Sequence, residues 1–464
     1  MPASDALRLS RLIAAHGSDA VAFQGLAASM HAWFDDDGAD ASGGAVAYFD
    51  TGGAWVAAGG PVAPVASRGG VARRFIAAAA RGRRRASFFG VEDLAAFHGW
   101  PALHLGEQPS ASPLEWADAV RNARALREQL RRARAKGVHA TLTSASELAS
   151  GTPLRARCDD LLVRWLASRR IEPMGFLVMA DPYTFPEEHT YVVATVGETV
   201  AGLLSAVPAY GGKGWLVEHL VCARSSPNGT AETLLDALYR SLVATGHSDA
   251  RVTLGLAPLA GPRTVWQKVA RTVTRPLFDF EGLRRFKARL RPSEWRPVWL
   301  LAPPGSWRWV ALFDALSAFA GGSLVRFAIR SVFLRPRALL WLLAVGLVPW
   351  TALLVWLDTT HEQGVAGYSR AALATWIAFD VVLAAALFRA AQRPEYRVLV
   401  VLIAVALGDG VLSLIHLDEV GVGGTLADSA LRIAAALAPF IGASTLFFVT
   451  VQKARELARS GARV

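Results

Sequence analysis

TYVVATVGETVAGLLSAVPAYGGKGWLVEHLVC, residues Thr190–Cys222, reads as three consecutive β-strands. β-Branched, aliphatic and aromatic residues dominate TYVVATV (Thr190–Val196), TVAGLLSAVPAY (Thr199–Tyr210) and WLVEHLVC (Trp215–Cys222), and Gly197-Glu198 turns the first into the second. A helix is predicted over Thr230–Ala244, followed by a further strand in RVTLGLAPL (Arg251–Leu259). The same order occurs earlier in the chain. AVAYFD (Ala45–Asp50) and AWVAAGGPV (Ala54–Val62) flank the hairpin signal Thr51-Gly52-Gly53, a helix is predicted around Gly70–Arg81, and ASFFGV (Ala86–Val91) returns as a strand. Hairpins followed by helix and strand predict two α+β lobes around mixed sheets rather than a doubly wound sheet. Neither Gly-rich nucleotide-binding signature stands at a strand–helix junction, so nucleotide-binding readings have little support.

The chain has 464 residues, 53% of them apolar, and a mean hydropathy of +0.30. These values argue against a disordered or fibrous chain and are high for a purely soluble one. Lys and Arg number 49 against 38 Asp and Glu, a formal charge of +11 that invites an anionic partner: nucleic acid, a membrane surface or a phosphorylated substrate. Cys158 and Cys222 are the only cysteines and form no CxxC pair, which argues against a disulfide scaffold or a Cys-rich zinc site and fits a reducing compartment.

Beyond residue 305 the texture changes. Ala338–Leu357, Ala371–Phe388, Val398–Ile415 and Leu431–Val451 are apolar runs long enough for a helix to cross ~30 Å of hydrocarbon. ALLWLLAVGLVPWTALLVWL shows no polar face, unlike a helix of a soluble core. Four spans are expected. Arg335 and Arg337, then Arg389, Arg393 and Arg397, then Lys453, Arg455 and Arg459 flank alternate ends, while Asp358, Glu362, Asp418, Glu419 and Asp428 dominate the other gaps. The first 300 residues and the C-terminus are therefore expected in the cytoplasm, in a multi-pass protein of the inner membrane. The start, MPASDALRLSRLIAAHGSDA, lacks the continuous apolar core of a signal peptide. Trp307–Leu334, with Arg308, Arg326 and Arg330, is expected to lie along the anionic leaflet. Asp380 and Asp409 fall within or near the ends of spans, where a charge marks either function or a polar helix–helix contact.

Pro113–Gly137 joins the lobes and is predicted helical. Val120, Ala123, Leu126, Leu130 and Ala133 recur at helical spacing, and Arg124, Arg127, Arg131 and Arg134 form a second stripe with Arg121, Arg132 and Lys136 nearby. Glu128 is the only acid in that basic run, so an anion-binding face is expected, with a solvated face as the plain alternative.

Taken in order, LRRARAKG (Leu130–Gly137), PMGF (Pro173–Phe176), GWLVEHL (Gly214–Leu220), SPNGTAE (Ser226–Glu232), TLGLAPLAG (Thr253–Gly261) and FEGLRRFKARLRPSEW (Phe280–Trp295) resemble the C-terminal catalytic domain of the lysyl-phosphatidylglycerol synthases, or multiple peptide resistance factors, through most of residues 20–300. The resemblance implies tandem GNAT-like acyltransferase lobes, an aminoacyl-tRNA donor and a phosphatidylglycerol acceptor. Such enzymes lower membrane negative charge and blunt cationic antimicrobial peptides. No cofactor or metal is implied. Members of that family carry a large membrane flippase domain before the catalytic part, whereas here the apolar runs follow it, and PRTVWQKVARTVTRPLFD reads as a basic insertion of this chain's own. The expected divisions are a first lobe over 1–112, a basic connecting helix over 113–137, a second lobe with the catalytic site over 138–304, a juxtamembrane segment over 305–334 and an all-α four-span region over 335–464.

Acyl transfer from an activated ester requires no covalent nucleophile; a carboxylate for the lipid hydroxyl and cations for phosphate suffice. Glu218 and Glu232 are the candidates for the acidic role. Asn228-Gly229-Thr230 opens a helix whose free N–H groups suit an anion, although Thr230 can equally be an N-cap. Arg127, Arg131 and Arg134 are candidates for tRNA, and Arg285 and Lys287 for a phosphate. Strand alternation places His219 opposite Glu218, so only one can line a cleft, and Glu218 is preferred. Cys222 has no histidine at a recognisable nucleophile spacing, and Gly255, Pro258 and Gly261 are expected to shape backbone. Two other readings remain open: a non-catalytic membrane module binding lipid or RNA, and an acyl-CoA-dependent acyltransferase on the same fold, for which no clear pyrophosphate turn is found.

Overall fold

Alternation of apolar residues draws most of the strands into one mixed sheet. The computed structural model describes the chain except residues 37–42, 168–174, 179–180, 262–278, 325, 328–335, 361–369, 421–425 and 460–464. The basic insertion expected at 262–279 and much of two loops used for the orientation argument thus lie outside the described residues. Met1–Phe327 and Ala328–Val464 are two compact units.

In the first unit the strands are β1 (His31–Phe34), β2 (Ala45–Asp50), β3 (Ala54–Ala58), β4 (Arg85–Val91), β5 (Ala102–Ala111), β6 (Val138–Thr143), β7 (Thr190–Val196), β8 (Thr199–Ala209), β9 (Gly214–Cys222), β10 (Arg251–Thr253), β11 (Ala257–Pro258) and β12 (Glu294–Leu301). Their order is β1-β2-β3-β4-β12-β5-β10-β9-β8-β7-β6, with β11 beside β5. The two expected lobes therefore share one sheet. β12 returns from late in the chain to lie between β4 and β5, and β10 joins β5 to β9. β11 approaches so closely that a Cβ at Gly106 would stand 2.3 Å from the Ala257 carbonyl, so only glycine fits there.

Helices cover both faces. In the half built from β1–β4 and β12, α2 (Arg68–Arg81) buries Val71, Ala72, Phe75 and Ala79 against Val46, Ala57, Phe88 and Leu301. On the other face, α8 (Arg308–Phe319) packs Ala311, Ala315 and Ala318 against Val56, Phe89 and Leu300. Asp314, 2% exposed, takes two bonds from Arg85 on β4, at 2.9 and 2.5 Å. Within the expected juxtamembrane segment, small residues at i, i+4 and i+7 let this helix dock on the sheet and leave Trp307, Phe313 and Leu316 exposed.

In the other half, α6 (Thr230–Ala244) buries Leu234, Leu235, Leu238 and Leu242 against β6–β9, while α5 (Pro153–Ala167) and α1 (Ala3–His16) lie on the opposite face. The single helix expected over 113–137 is two, α3 (Pro113–Asn122) and α4 (Arg124–Ala135), because Ala123 adopts an extended conformation with ψ 101°. Ser112 and Glu115 form a capping box at the start of α3, and Trp116 stacks on Tyr239 of α6. The last helix of this unit that concerns the site is α7 (Phe280–Arg289).

The second unit is helical: α9 (Pro336–Thr360), α10 (Arg370–Gln392), α11 (Tyr396–Val420) and α12 (Leu426–Arg459). Among the described residues, three helices are long and apolar enough to cross a membrane, over Leu339–Trp356, Ala374–Gln392 and Tyr396–Ile415; α12 contributes a shorter apolar stretch, Ala436–Val451. Their outward residues, such as Val348, Val382 and Phe447, are exposed and apolar, as hydrocarbon contact requires.

Candidate active site

The geometry around Glu218 begins with a fault in strand register. Ser205 pairs with His219, but the next residue, Ala206, pairs with Val217, so Glu218 is an extra residue in β9. The packing records the same shift. Trp215, Val217, Leu220 and Cys222 face α6, while Leu216 and Val221 face the other side. A bulge of this kind turns two neighbouring side chains to one face. The expectation that Glu218 and His219 point apart is therefore corrected: Glu218 Oε2 lies 3.5 Å from His219 Nδ1 and 3.3 Å from His189 Nε2.

The surroundings are closed. His189 stacks on Tyr191 and meets the edge of Phe23, and its Nδ1 is 3.0 Å from the Phe185 carbonyl. Both nitrogens of His189 thus face acceptor oxygens. Burial alone would push the Glu218 carboxyl up, but the His189 hydrogen bond and the neighbouring charges of His219 and His189 hold it below the usual carboxylate range. Ser205 Oγ lies 2.8 Å from His219 Nδ1, the nitrogen that also faces Glu218. A nucleophile–base–acid relay needs the acid and the hydroxyl on opposite nitrogens, and Ser205 is fully buried, so it is no nucleophile.

A second carboxylate network adjoins the 3-10 turn Ala20–Leu26, which carries Phe23. Glu92 Oε1 accepts from the Ala20 N–H at 2.8 Å and from Gln108 Nε2 at 3.0 Å, and Oε2 accepts from the Tyr210 hydroxyl at 3.2 Å. Asp19, fully sequestered, accepts from the Gly60 and Glu92 N–H groups at 2.7 and 2.8 Å. Burial, with Asp19 alongside, pushes Glu92 up to about 7, and burial raises Asp19 as well.

The other candidate residues are dispersed. Glu232, in the first turn of α6, lies on the opposite face of the sheet from Glu218, near Cys222, whose thiol burial pushes up to about 12. Asn228 is exposed; Gly229, with φ 98°, is packed so tightly on α4 that a Cβ would lie 2.4 Å from the Gln129 carbonyl. Thr230 donates to the Pro227 carbonyl at 2.7 Å. Arg131 shares Glu128 with Arg132, Arg134 bonds buried Asp236 at 3.1 Å, and Arg127 turns back to the Arg121 carbonyl. Arg285 is exposed on α7, whereas Lys287 is buried, donates to the Gly255 and Leu256 carbonyls at 2.8 Å each, and is pushed down to about 7 by burial. Sequence reasoning missed Asp19, Glu92, Gln108, His189 and Tyr210, which stand in none of the six family-like motifs.

Comparisons with known proteins fit this architecture. The C-terminal domain of a protein assigned as a lysylphosphatidylglycerol synthetase from Agrobacterium fabrum is 20% identical, with a TM-score of 0.57 over 69% of this chain and 99% of its own. L-PGS from Bacillus licheniformis is 18% identical, with a TM-score of 0.56 over 67% and 95%. At such identity the likeness shows the fold alone. No match is found among curated proteins. Residues 10–302, well over half of the chain, match the family model "Phosphatidylglycerol lysyltransferase, C-terminal", and the chain belongs to that family.

Proposed function

We propose that the chain moves an aminoacyl group from aminoacyl-tRNA to a glycerol hydroxyl of phosphatidylglycerol at the inner membrane. The family match over residues 10–302 carries the reading. In this reaction the lipid hydroxyl oxygen bonds to the ester carbonyl carbon, the bond to the tRNA ribose oxygen breaks, and the proton of the attacking hydroxyl ends on that ribose oxygen. Glu218 accepts and hands over this proton, or orients the hydroxyl, while His189 holds the carboxylate ionised and in place. Arg127, Arg131 and Arg134 face the tRNA, and the Asn228–Thr230 turn and Arg285 serve the phosphates, while buried Lys287 ties α7 to the Gly255 and Leu256 carbonyls. The charge asymmetry of the loops supports four spans with the transferase unit in the cytoplasm. The outer face of α8, with Trp307, Phe313 and Leu316 exposed, meets the leaflet.

Lipid extracts of cells with and without the gene, compared by mass spectrometry, test the reading. A new aminoacyl-phosphatidylglycerol species is expected with the gene; identical lipid profiles in cells that make the folded protein would refute it.

A further inference from the structure

Within the second unit, α9, α10, α11 and α12 line a cavity of about 370 Å³, at the lower end of the size range of small-molecule pockets. Its wall is aliphatic and aromatic except for Asp380, Asp409 and Ser413. Asp380 is 6% exposed and, among the described residues, has no hydrogen-bond or ion-pair partner. Among the described residues Asp409 has the Ser413 hydroxyl as its partner, and no described Lys, Arg or His lines the space.

The two carboxylates share a depth. Asp380 stands 12 residues before Gln392 and Asp409 13 residues after Tyr396, the ends joined by the short link 393–395. At about 1.5 Å per residue both lie roughly 18–20 Å along their helices from that link, well inside a span. Two carboxylates at that depth are expensive while both are ionised, and either a proton or a cation between them relieves the cost. A hydrated divalent ion would need its remaining shell filled by water, and beyond Asp380, Asp409 and Ser413 this lining gives such waters no side-chain partner. An organic ammonium needs one or two carboxylates for its charge and an apolar wall for its carbon chain. Trp350 and Trp376 add ring faces that attract a cation.

We propose that this cavity binds a lipophilic primary ammonium, its charge at Asp380 and Asp409 and its carbon chain along Leu343, Leu347, Leu383 and Leu446. Two sources share this chemistry: the amine of an aminoacylated lipid, and a free long-chain amine. The proposal does not rest on the transferase reading, and turnover measured on the same preparations tests that reading separately.

The full chain in detergent is examined by native mass spectrometry with dodecylamine, dodecanol, lysyl-phosphatidylglycerol and phosphatidylglycerol as probes. Dodecylamine is expected to form a one-to-one adduct and dodecanol none. The double variant Asp380→Asn/Asp409→Asn, which keeps side-chain size, should weaken the amine at least tenfold. Leu383→Trp, which fills the cavity and leaves both acids, should weaken it as much. An equal loss of lysyl-phosphatidylglycerol in these variants identifies the lipid headgroup as the source; dodecylamine binding without it identifies a free amine. Dodecanol binding as well as dodecylamine, or the double Asn variant retaining wild-type amine affinity, overturns the proposal.

Discussion

Glu218→Gln keeps the size of a side chain that is 13% exposed and removes the charge facing two imidazoles at 3.3 and 3.5 Å. The amide oxygen can still accept from His189, so the change in stability is that between a hydrogen bond to a charged group, ~1.5–3 kcal/mol, and a neutral one, ~0.5–1.5 kcal/mol. A loss of about 1–2 kcal/mol leaves a domain of ordinary stability folded. Removing a base or orienting carboxylate from the reacting hydroxyl costs far more, roughly 10²–10⁴ in rate. The two effects are therefore separable. Purified full-length protein in detergent, supplied with charged tRNA and phosphatidylglycerol, should show kcat down by at least 100-fold with the urea midpoint little changed. A pH series adds a second signature. Because the folded carboxyl titrates below the ordinary glutamate value of 4.5, its stabilising contribution is complete above about pH 4.5 and is lost as pH falls through the lower folded value; the Gln variant should lack that acid-side loss. Turnover within twofold of wild type would place the reacting centre elsewhere.

Glu92→Gln tests the second network. With an ordinary value of 4.5 and a folded one of about 7, the wild-type protein should lose stability as pH rises between them, by up to about 3 kcal/mol, and the variant should not; parallel urea curves at pH 5 and 8 for both proteins would contradict this. Among Arg127, Arg131 and Arg134, only Arg127 has no carboxylate partner among the described residues, so Arg127→Glu should lower the salt slope of tRNA binding by at least ~0.7–0.9 without unfolding. Arg134→Glu should also destabilise the fold by setting an acid against buried Asp236, and unchanged slopes in both variants would reduce the helix to a solvated face. Asp314→Ala should cost about 1–3 kcal/mol by stripping the Arg85 clamp from α8, a loss that an unaltered urea midpoint would disprove.

Much of the sheet was legible because its strands obey a local rule. TYVVATV and the helix over 230–244 fall where composition places them, and the hairpin at 51–53 joins the expected pair. The strands that join the two halves obey no such rule. EWRPVWLL carries Pro297, which argues against a central strand, yet β12 is tolerated there because β4 pairs only with Trp299–Leu301, beyond the proline. β5 contains Gly106 and Pro109, which interrupt a strand pattern, although its glycine admits β11 at close range. The break at Ala123 interrupts a continuous helical pattern, and the partners of α3 and α4 lie far along the chain, with Trp116 on Tyr239 and Arg134 on Asp236.

The site shows the same limit more sharply. A period-two reading of WLVEHLVC must assign Glu218 and His219 to opposite faces, and no property of those residues signals that β9 is one residue longer than the stretch of β8 it pairs with. The bulge is a relation between strands, and it decides which imidazoles a carboxylate meets. Glu92 and Asp19 make the point at longer range: they bond across 73 residues through backbone N–H groups that any sequence would possess. Residue identity can therefore nominate an acid, but its protonation and partners depend on register and topology. Glu218 is held ionised by two histidines the fold supplies, Glu92 is pushed toward neutrality by the burial the fold imposes, and the two stand by one 3-10 turn. Two glutamates with opposed proton affinities beside one turn thus follow from burial and partners rather than from residue type.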